Sequence, residues 1–527
     1  MSFAVLSALL QIIIFPQFNL HYFAWIFLVP LFFALEKRLA FQSFSLCLLF
    51  GSLSAIGNTY WLYPTVIGYF EQPLFQGILL ALFVQVVFAG FYFALFGLLY
   101  SILSQVNNQP LRVMLVSAGW VGCEYFRSTL FTGLPWELLA HSQYQNLSLI
   151  QIADITGVYG VSFIIVTINY SLYLTLRSFV NAKGLTHFNF PRYQSLLIPI
   201  VLLLLTFCYG KVRLAEYKKM EKEGIQRNSN RLPEPICVSI IQGNIKSRYR
   251  WRSAYYGRNL GKYLTLTKKA IKDGADIIIW PENALNFYLE KEPFLLARIM
   301  RVLKESQTHL FLGGPRYENV GKNQNKFFNS AYYLIPQQGV SGVYNKIHLL
   351  PFSEYDFFKH ITVYGKKRTV APKKYSFGHE YTQFQFFNTP CSVLICYEII
   401  YPHLVREFVK RGASFLINIS NDSWFGKGAG PYQHLSLSIF RAVEHKLFLV
   451  RAVTTGISAL ITPTGKIHKV SKLFQEEILT DTILPRQETT FYTKYGDLFA
   501  ALCILLSFIA LLSILSKKNR FKRNRLS

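Results

Sequence analysis

Three short segments of the chain hold side chains of the types that perform covalent catalysis. Glu282 lies in a Trp-Pro-Glu segment, Lys346 in Tyr-Asn-Lys and Cys396 in Leu-Ile-Cys-Tyr-Glu. A carboxylate can take up a proton, an ammonium can stabilise negative charge, and a thiolate can attack a carbonyl carbon. Each residue also has an ordinary explanation: a solvated carboxylate at a strand end, a surface lysine and a buried core cysteine. Residue type and spacing alone leave both explanations open.

The segment that contains these residues alternates predicted strands with predicted helices. Such a pattern is typical of an α/β domain in which stacked sheets are covered by helices. The predicted strands are 236–242, 276–280, 309–313, 331–335, 391–396, 414–419 and 457–462, and the predicted helices are 254–272, 402–411 and 434–450. Glu282 then follows a predicted strand, Cys396 ends one and Lys346 lies in a connecting segment. Loops and strand ends are where rigid scaffolds present functional groups.

Long apolar runs flank this domain and predict a multi-span bundle of membrane helices. Residues 74–103 contain no charged side chain, and about 20 apolar residues suffice to cross a bilayer. Eight spans are predicted: 2–16, 23–36, 42–62, 74–103, 112–128, 159–180, 194–210 and 496–516. The first of them lacks a basic leading region and a clear cleavage site, so we do not expect it to be a signal peptide.

These features predict five parts of the chain. They are a membrane domain of about seven helices (1–210), a linker (211–234), the α/β domain (235–485), a final membrane helix (496–516) and a basic tail (517–527). The lysine-rich and arginine-rich tail places the C-terminus in the cytoplasm, which puts the α/β domain on the opposite, periplasmic side. The basic residues just after 210 disagree with this orientation, but long domains are translocated largely regardless of charge.

Composition and residue spacing argue against nucleic-acid binding, metal or cofactor binding and a disulfide between Cys391 and Cys396. A net charge of +27 is compatible with nucleic-acid binding, but the sequence contains no recognised nucleic-acid module, and basic clusters beside apolar spans favour lipid head groups. Neither a zinc-ligand spacing nor a glycine-rich phosphate loop is evident, so no metal and no cofactor are expected. Cys391 and Cys396 on one strand would lie about 16 Å apart, too far to form a disulfide.

In combination, the motifs resemble the nitrilase superfamily, and most closely its bacterial apolipoprotein N-acyltransferase branch. The resembling residues are Gln242-Gly243-Asn244, Trp280-Pro281-Glu282, Asn345-Lys346, His348, Pro351-Phe352, Glu354-Tyr355, Cys396-Tyr397-Glu398, Asn421-Asp422, Trp424-Phe425-Gly426, Gly430-Pro431-Tyr432-Gln433-His434 and Arg441-Ala442, together with Gly133-Leu134-Pro135-Trp136 in the membrane part. Ser353 departs from the glycine that this family usually has before Glu-Tyr.

The resemblance implies an αββα sandwich and a role for each matching residue. Glu282 would be the general base, Lys346 the oxyanion-stabilising cation and Cys396 the nucleophile. Supporting or substrate-binding roles would fall to Glu354, Tyr397, Glu398 and Trp251.

The resemblance also implies a reaction. An acyl chain would pass from a membrane phospholipid, expected to be phosphatidylethanolamine, through a cysteine thioester to the N-terminal α-amine of a diacylglyceryl-cysteine apolipoprotein. The protein would be a multi-pass protein of the bacterial inner membrane. Two other interpretations remain open: a membrane-anchored carbon-nitrogen hydrolase that uses the same triad, and a transporter or scaffold whose outer domain only binds.

Two further segments have more than one interpretation. Glu124 and Arg127 are three residues apart in an apolar run. This spacing fits either an ion pair near a helix end or a polar site within the membrane. Residues 355–381 mix aromatic and basic side chains, which is typical either of a lid that dips into the membrane interface or of a solvated loop.

Overall fold

The computed structural model describes residues 1–181, 194–226, 234–245, 253–321, 325–351, 353–355 and 374–526. The chain divides into two compact units. The first comprises Met1–Leu62, Ile78–Leu214 and Tyr495–Ser527, and the second comprises Tyr63–Gly77 and Ala215–Lys494. Residues 63–77 were expected in the membrane domain 1–210 but pack with the second unit, where the Thr65 hydroxyl donates a hydrogen bond to the Trp424 carbonyl at 2.8 Å.

The first unit is helical. Its helices are α1 (Ser2–Ile14), α2 (Val29–Ala34), α3 (Ala40–Asn58), α4 (Leu74–Leu103), α5 (Gln109–Thr129), α6 (Val158–Asn181), α7 (Gln194–Gln226) and the C-terminal helix Leu498–Leu526. Among the described residues, five helices are long and apolar enough to cross a membrane: α3, α4, α6, α7 and the C-terminal helix. The predicted count of eight spans is therefore not confirmed, because α1 and α2 are short and α5 does not meet this criterion.

Helix α7 continues past the predicted end of its span. It runs to Gln226 without interruption, so residues 211–226, two thirds of the predicted linker 211–234, are helical. The C-terminal helix likewise continues through most of the predicted basic tail 517–527. Its apolar segment leaves Leu502, Leu505 and Phe508 about half exposed within the chain, as expected of a surface that faces lipid.

The polar residues of α5 are buried and contact the segment that follows the helix. Glu124 accepts hydrogen bonds from the Trp120 indole at 3.1 Å and from the Leu139 amide at 2.8 Å. Arg127 donates to the Glu137 carbonyl at 3.3 Å. Glu124 and Arg127 thus belong to a buried polar cluster that holds the turn after α5. These contacts do not decide between an ion pair near a helix end and a polar site within the membrane.

The second unit contains two six-stranded sheets. The first sheet has the strand order β12-β1-β2-β3-β4-β5 and the second has β11-β10-β9-β8-β7-β6. The strands are β1 (Ile236–Gln242), β2 (Ile277–Ile279), β3 (His309–Asn319), β4 (Asn325–Ile335), β5 (Gly339–Asn345), β6 (Phe384–Phe386), β7 (Thr389–Ile395), β8 (Phe415–Ser420), β9 (Phe448–Val453), β10 (Ala459–Ile461), β11 (Ile467–Val470) and β12 (Glu477–Ile483). The central strands β1–β3 and β7–β9 pair in parallel, and the outer strands pair antiparallel.

The two sheets pack face to face, and helices cover their outer faces. The rings of Phe311 on β3 and Phe384 on β6 lie 5.2 Å apart, and the Tyr333 hydroxyl donates a hydrogen bond to the Gln385 carbonyl at 3.2 Å. Helices α8 (Tyr256–Lys272) and α9 (Pro293–Ser306) contribute to the core of the first sheet, and α10 (Pro402–Lys410) and α11 (Gly430–His445) contact the second. The result is the expected αββα sandwich.

Simple sequence features account for the covering helices. The buried side chains of α8 recur every three or four residues, at Asn259, Leu260, Tyr263, Leu264, Thr267 and Ala270. Each large apolar side chain buried in this way contributes about 1.5–3 kcal/mol. Pro293 and Pro402 occupy the first turn of α9 and α10, where the missing amide hydrogen of proline costs nothing.

One predicted helix is wrong in its last five residues. A helix over 434–450 was predicted, but α11 ends at His445, and Phe448–Val453 forms strand β9. Lys446 adopts a left-handed conformation with φ of 54°, which ends the helix. The apolar residues after Lys446 are compatible with a buried strand as well as with a helix, so hydrophobic periodicity did not distinguish the two in this segment.

Candidate active site

Glu282 lies just beyond β2, at the edge of the first sheet where the parallel strands end. It is 4% exposed, and its Oε1 accepts a hydrogen bond from the Asn329 amide of β4 at 2.7 Å. The backbone before it passes close to Gly313 on β3, where an added Cβ would lie 2.6 Å from the Glu282 Cα. Only glycine at this position leaves the carboxylate where it is.

Lys346 follows β5 on the same sheet and is 1% exposed. Its Nζ donates to Glu354 Oε2 at 2.8 Å and lies 4.0 Å from Glu282 Oε1. The ammonium therefore faces two carboxylates in a site from which water is largely excluded.

Asn329 joins these groups, although no pattern in the sequence predicted a role for it. Its Nδ2 donates to Glu282 Oε1 at 2.7 Å and to Glu354 Oε1 at 2.8 Å. Its main-chain carbonyl accepts from the main-chain amide of Lys346 at 2.9 Å. The sequence does contain one signal for such a role. Asn329 is a polar residue at the start of the apolar half of β4, and a polar side chain that is buried there must form hydrogen bonds.

Cys396 lies where β7 of the second sheet ends and a turn of 3₁₀ helix begins. It is 5% exposed, and its φ of 57° is in the left-handed region that non-glycine residues seldom adopt. Its thiol lies close enough to the Glu282 carboxylate and to the Ser420 side chain for both to influence its pKa. The sandwich thus brings Glu282, Lys346 and Cys396 together from two sheets.

Glu398 links the segment after β5 to the segment after β7. Its Oε1 accepts hydrogen bonds from the Tyr344 hydroxyl at 2.8 Å and from the amides of Ile347 and His348 at 2.8 and 2.9 Å. Its Oε2 accepts from the Ile395 amide at 2.7 Å. The positions of Lys346 and Cys396 therefore depend on one buried carboxylate.

Tyr397 packs beside the lysine. Its hydroxyl donates to the Leu349 carbonyl at 3.1 Å, and the Lys346 Nζ lies 5.5 Å from the centre of its ring. Of the predicted supporting residues, the structure thus places Glu354, Tyr397 and Glu398 around the triad. Trp251 lies outside the described residues, as does 356–373, which is most of the predicted lid 355–381.

Burial and neighbouring charges set the protonation states at the site. Burial, followed by the Glu282 carboxylate, raises the pKa of the Cys396 thiol, so the resting sulfur carries its proton. Burial also raises the pKa of Glu282 above the ordinary glutamate value. Burial alone would lower the pKa of Lys346, but Glu354, Cys396 and Glu282 reverse that shift and keep it an ammonium. Burial raises the pKa of Glu398 to about 7.

These states suit proton transfer from the thiol to Glu282 at the moment of attack. A carboxylate with raised proton affinity is a stronger base than one in water, and the ammonium can offset the charge that forms on a carbonyl oxygen. Among the described residues, no group of three or more histidine, cysteine, aspartate or glutamate side chains could hold a metal ion.

Comparison with known proteins accounts for both units. Residues 237–490 match the carbon-nitrogen hydrolase family, and residues 7–171 match the apolipoprotein N-acyltransferase N-terminal domain. An apolipoprotein N-acyltransferase of Geobacter metallireducens is 34% identical over 95% of this chain and 92% of its own length. The chain belongs to the apolipoprotein N-acyltransferase family. It is an acyltransferase and a membrane protein.

More distant relatives have the same name. An apolipoprotein N-acyltransferase of Pseudomonas aeruginosa is 29% identical over 85% of this chain and 82% of its own length. Among solved structures, an amidase from Nesterenkonia sp. is 16% identical over 51% of this chain and 95% of its own, with a TM-score of 0.37. The family does not favour the hydrolase alternative, and it gives no support to a transporter or scaffold.

Proposed function

We propose that the protein transfers an acyl chain from a membrane phospholipid to the N-terminal α-amine of a diacylglyceryl-cysteine apolipoprotein, through a thioester on Cys396. The observation that carries the proposal is that the Cys396 thiol, the Glu282 carboxylate and the Lys346 ammonium are buried together, near enough to shift one another's pKa, in a member of this family. Phosphatidylethanolamine is the proposed donor, and no cofactor takes part.

The first half-reaction forms the acyl-enzyme. Glu282 takes the proton of the Cys396 thiol as the sulfur attacks the carbonyl carbon of the phospholipid ester. Negative charge develops on the carbonyl oxygen, and Lys346 stabilises it. When the C–O bond breaks, Glu282 returns the proton to the departing oxygen. The products are a lysophospholipid and the thioester.

The second half-reaction regenerates the enzyme. The neutral α-amine of the acceptor attacks the thioester carbonyl, and Glu282 takes a proton from the nitrogen. The C–S bond breaks, the proton passes to the Cys396 sulfur, and the new amide leaves. The same ammonium stabilises the second oxyanion, so one site serves both halves.

The surrounding residues hold this arrangement. Glu354 balances the charge of Lys346 at 2.8 Å. Glu398 and Tyr397 fix the segments that carry the lysine and the cysteine. Trp251 is proposed to line the substrate path, as the family resemblance implies.

The acyl chains of the proposed substrates give a physical reason for joining the α/β domain to apolar helices. Both substrates carry acyl chains, and moving such chains into water costs about 0.8 kcal/mol per methylene group. Apolar helices precede and follow the α/β domain in the sequence, so the domain is tethered at both ends. We propose the bacterial inner membrane, eight spans and a periplasmic α/β domain of residues 235–485.

The orientation proposal is supported by basic residues at helix ends. Arg177 near the end of α6 pairs with Glu36 just after α2 at 2.8 Å, which brings these two ends of the first unit together. Lys37 and Arg38 follow Glu36 in the sequence. Basic residues clustered at one end of a helix bundle favour the cytoplasmic side.

The test is intact mass spectrometry of the full-length protein after incubation with phosphatidylethanolamine vesicles. We expect a hydroxylamine-sensitive acyl mass on the wild type that is absent from Cys396→Ser. Adding a diacylated lipopeptide with a free α-amine should discharge the adduct and yield the N-acylated peptide. Release of the acyl chain only as free fatty acid would instead indicate a hydrolase, and a folded wild type without any adduct would contradict the proposal.

A further inference from the structure

The main chain at Cys396 is held in an unfavourable conformation. Its φ of 57° lies in the left-handed region, which costs free energy for any residue with a Cβ. Such a conformation persists only when the surrounding structure imposes it. The bend turns the chain out of β7 and directs the thiol towards Glu282, so something must hold the peptide groups on both sides of the bend.

The side chain of Asn418 contacts those peptide groups. Asn418 lies on β8, paired in register with Leu394 on β7, and it is fully buried. Its Nδ2 donates two hydrogen bonds, to the Leu394 carbonyl and to the Cys396 carbonyl, both at 3.1 Å. One amide group therefore binds a carbonyl in the strand before the bend and the carbonyl of the bent residue itself.

A buried ion pair fixes the orientation of that amide. Arg451, paired in register with Asn418 from β9, donates to the Asn418 Oδ1 and, at 2.8 Å, to Asp422 Oδ2. The other oxygen of Asp422 accepts from the Ser420 hydroxyl at 2.7 Å and lies 3.1 Å from His434 Nδ1. With its oxygen towards the guanidinium, Asn418 can present only its NH₂ group to the two carbonyls.

We propose that Asn418, oriented by Arg451, is a positioning residue that holds Cys396 in the conformation from which it reacts. This inference rests on the proposed function because it takes Cys396 as the nucleophile. It adds a second set of residues, on β8 and β9, that acts through the backbone of Cys396 and does not touch substrate.

The test compares two variants of Asn418 with a control on the same strand. Asn418→Leu keeps the approximate volume but removes both donated hydrogen bonds, and Asn418→Thr keeps a single hydroxyl donor. Ile417→Val changes the neighbouring residue, which is equally buried. For each full-length protein we would measure the thermal midpoint, the rate of acyl-enzyme formation from phosphatidylethanolamine vesicles, and the rate of iodoacetamide alkylation at Cys396 by peptide mass spectrometry.

We expect Asn418→Leu to slow acyl-enzyme formation about 100-fold, since small displacements of a reacting group have effects of this size. Asn418→Thr should lie between Leu and the wild type, and Ile417→Val should stay within about twofold of the wild type despite its lower thermal midpoint. The rate of Cys396 alkylation should rank the variants in the same order as the rate of acyl-enzyme formation, because alkylation depends on the thiol and needs no lipid.

Wild-type rates in folded Asn418→Leu would overturn the proposal. If that variant does not fold, Asn418→Thr decides, and acylation and alkylation rates equal to the wild type would overturn it equally. A rate loss in Ile417→Val as large as in the Asn418 variants would also overturn it, because the effect would then follow stability. Wild-type protein that is alkylated but never acylated would contradict the proposed function alone, since alkylation still tests the positioning role.

Discussion

The two sheets of the α/β unit contribute different things to one site. The first sheet supplies the charged groups, Glu282 after β2 and Lys346 after β5. Asn329 joins them, because its side chain donates to Glu282 and Glu354 and its main-chain carbonyl accepts from the Lys346 amide. The second sheet supplies Cys396, whose placement depends on a left-handed backbone after β7. Charged groups are placed by side chains on the one sheet, and the thiol is placed by main-chain geometry on the other.

This difference follows from the size of the side chains. Glutamate and lysine are long, so a partner such as Asn329 or Glu354 must select one rotamer and make up for the entropy lost on burial. Cysteine has a single rotatable bond before its sulfur, so the backbone largely decides where the thiol points. A site built from both sheets needs both kinds of control, and neither sheet alone holds the groups that acyl transfer requires.

Removing the thiol from the second sheet should have the largest effect. We expect Cys396→Ser to lower acyl transfer at least about 10⁴-fold, because loss of the nucleophile in a covalent mechanism removes most of the catalysis. The measurement is acyl-enzyme formation by intact mass. Cys391→Ala, which removes the buried thiol five residues earlier on β7, is the control and should keep the adduct. An adduct on Cys396→Ser would locate the nucleophile elsewhere.

Removing the base from the first sheet should cost less. Glu282→Gln keeps the shape and an acceptor for Asn329 but cannot take the thiol proton, and general-base catalysis typically contributes about 10²–10⁴-fold. The single-turnover rate of acylation measures this loss. Glu318→Gln, on the exposed end of β3, is the matched control and should acylate normally. Equal rates for both variants would remove Glu282 from proton transfer.

The same carboxylate predicts how acylation depends on pH. Burial raises the pKa of Glu282, and only the ionised form accepts the thiol proton. The acylation rate should therefore fall about tenfold per unit as pH decreases below a midpoint that lies above the ordinary glutamate pKa of about 4.3. Single-turnover rates at a series of pH values give that midpoint, and Glu282→Gln should lack this acid limb. A midpoint at or below the ordinary value would mean that Glu282 titrates as if exposed.

Five of the six central strands could be predicted from the sequence, and the exception, β9, was predicted as helix. Of the outer strands, β4 and β10 were predicted, whereas β5, β6, β11 and β12 were not. Buried parallel strands such as Ile277–Ile279 read as continuous apolar runs, which is why their approximate positions were predicted correctly. Strand β5 was missed because glycine and polar residues interrupt its valine and tyrosine residues, so that it contains no continuous apolar run. Helix α9 was also missed, although its buried side chains recur at helical spacing.

The candidate site was predicted from motifs and not from periodicity. Lys346 and Cys396 are far apart in sequence, and only a known combination of motifs indicated that the fold brings them together. Asn329 and Asn418 were not predicted, because a single asparagine within an apolar strand does not reveal which buried group it binds. Those partners follow from strand register, which is a property of the tertiary structure.

A smaller change on the first sheet should displace the base without removing it. Gly313→Ala would place a Cβ 2.6 Å from the Glu282 Cα, so the backbone must shift. We expect acylation to fall about tenfold, less than with Glu282→Gln, because a displaced base still works in part. Gly261→Ala on α8, where an added Cβ meets no atom within 4 Å, is the control. A wild-type rate for Gly313→Ala would show that this strand can move without affecting Glu282.

The smallest effect should come from the contact between the two sheets. The Tyr333 hydroxyl on β4 donates to the Gln385 carbonyl on β6 at 3.2 Å, and it lies 2.6 Å from His309 Nδ1. Tyr333→Phe keeps the ring that packs on Phe311 and should lower the free energy of unfolding by about 2 kcal/mol, because it removes two hydrogen bonds that are each worth about 1 kcal/mol. Thermal unfolding of the purified protein measures the loss, and acylation should not change, since the remaining packing still holds the sheets together. A marked loss of acylation at unchanged stability would mean that this contact sets the distance between Glu282 and Cys396, and the two sheets could no longer be treated as independently positioned.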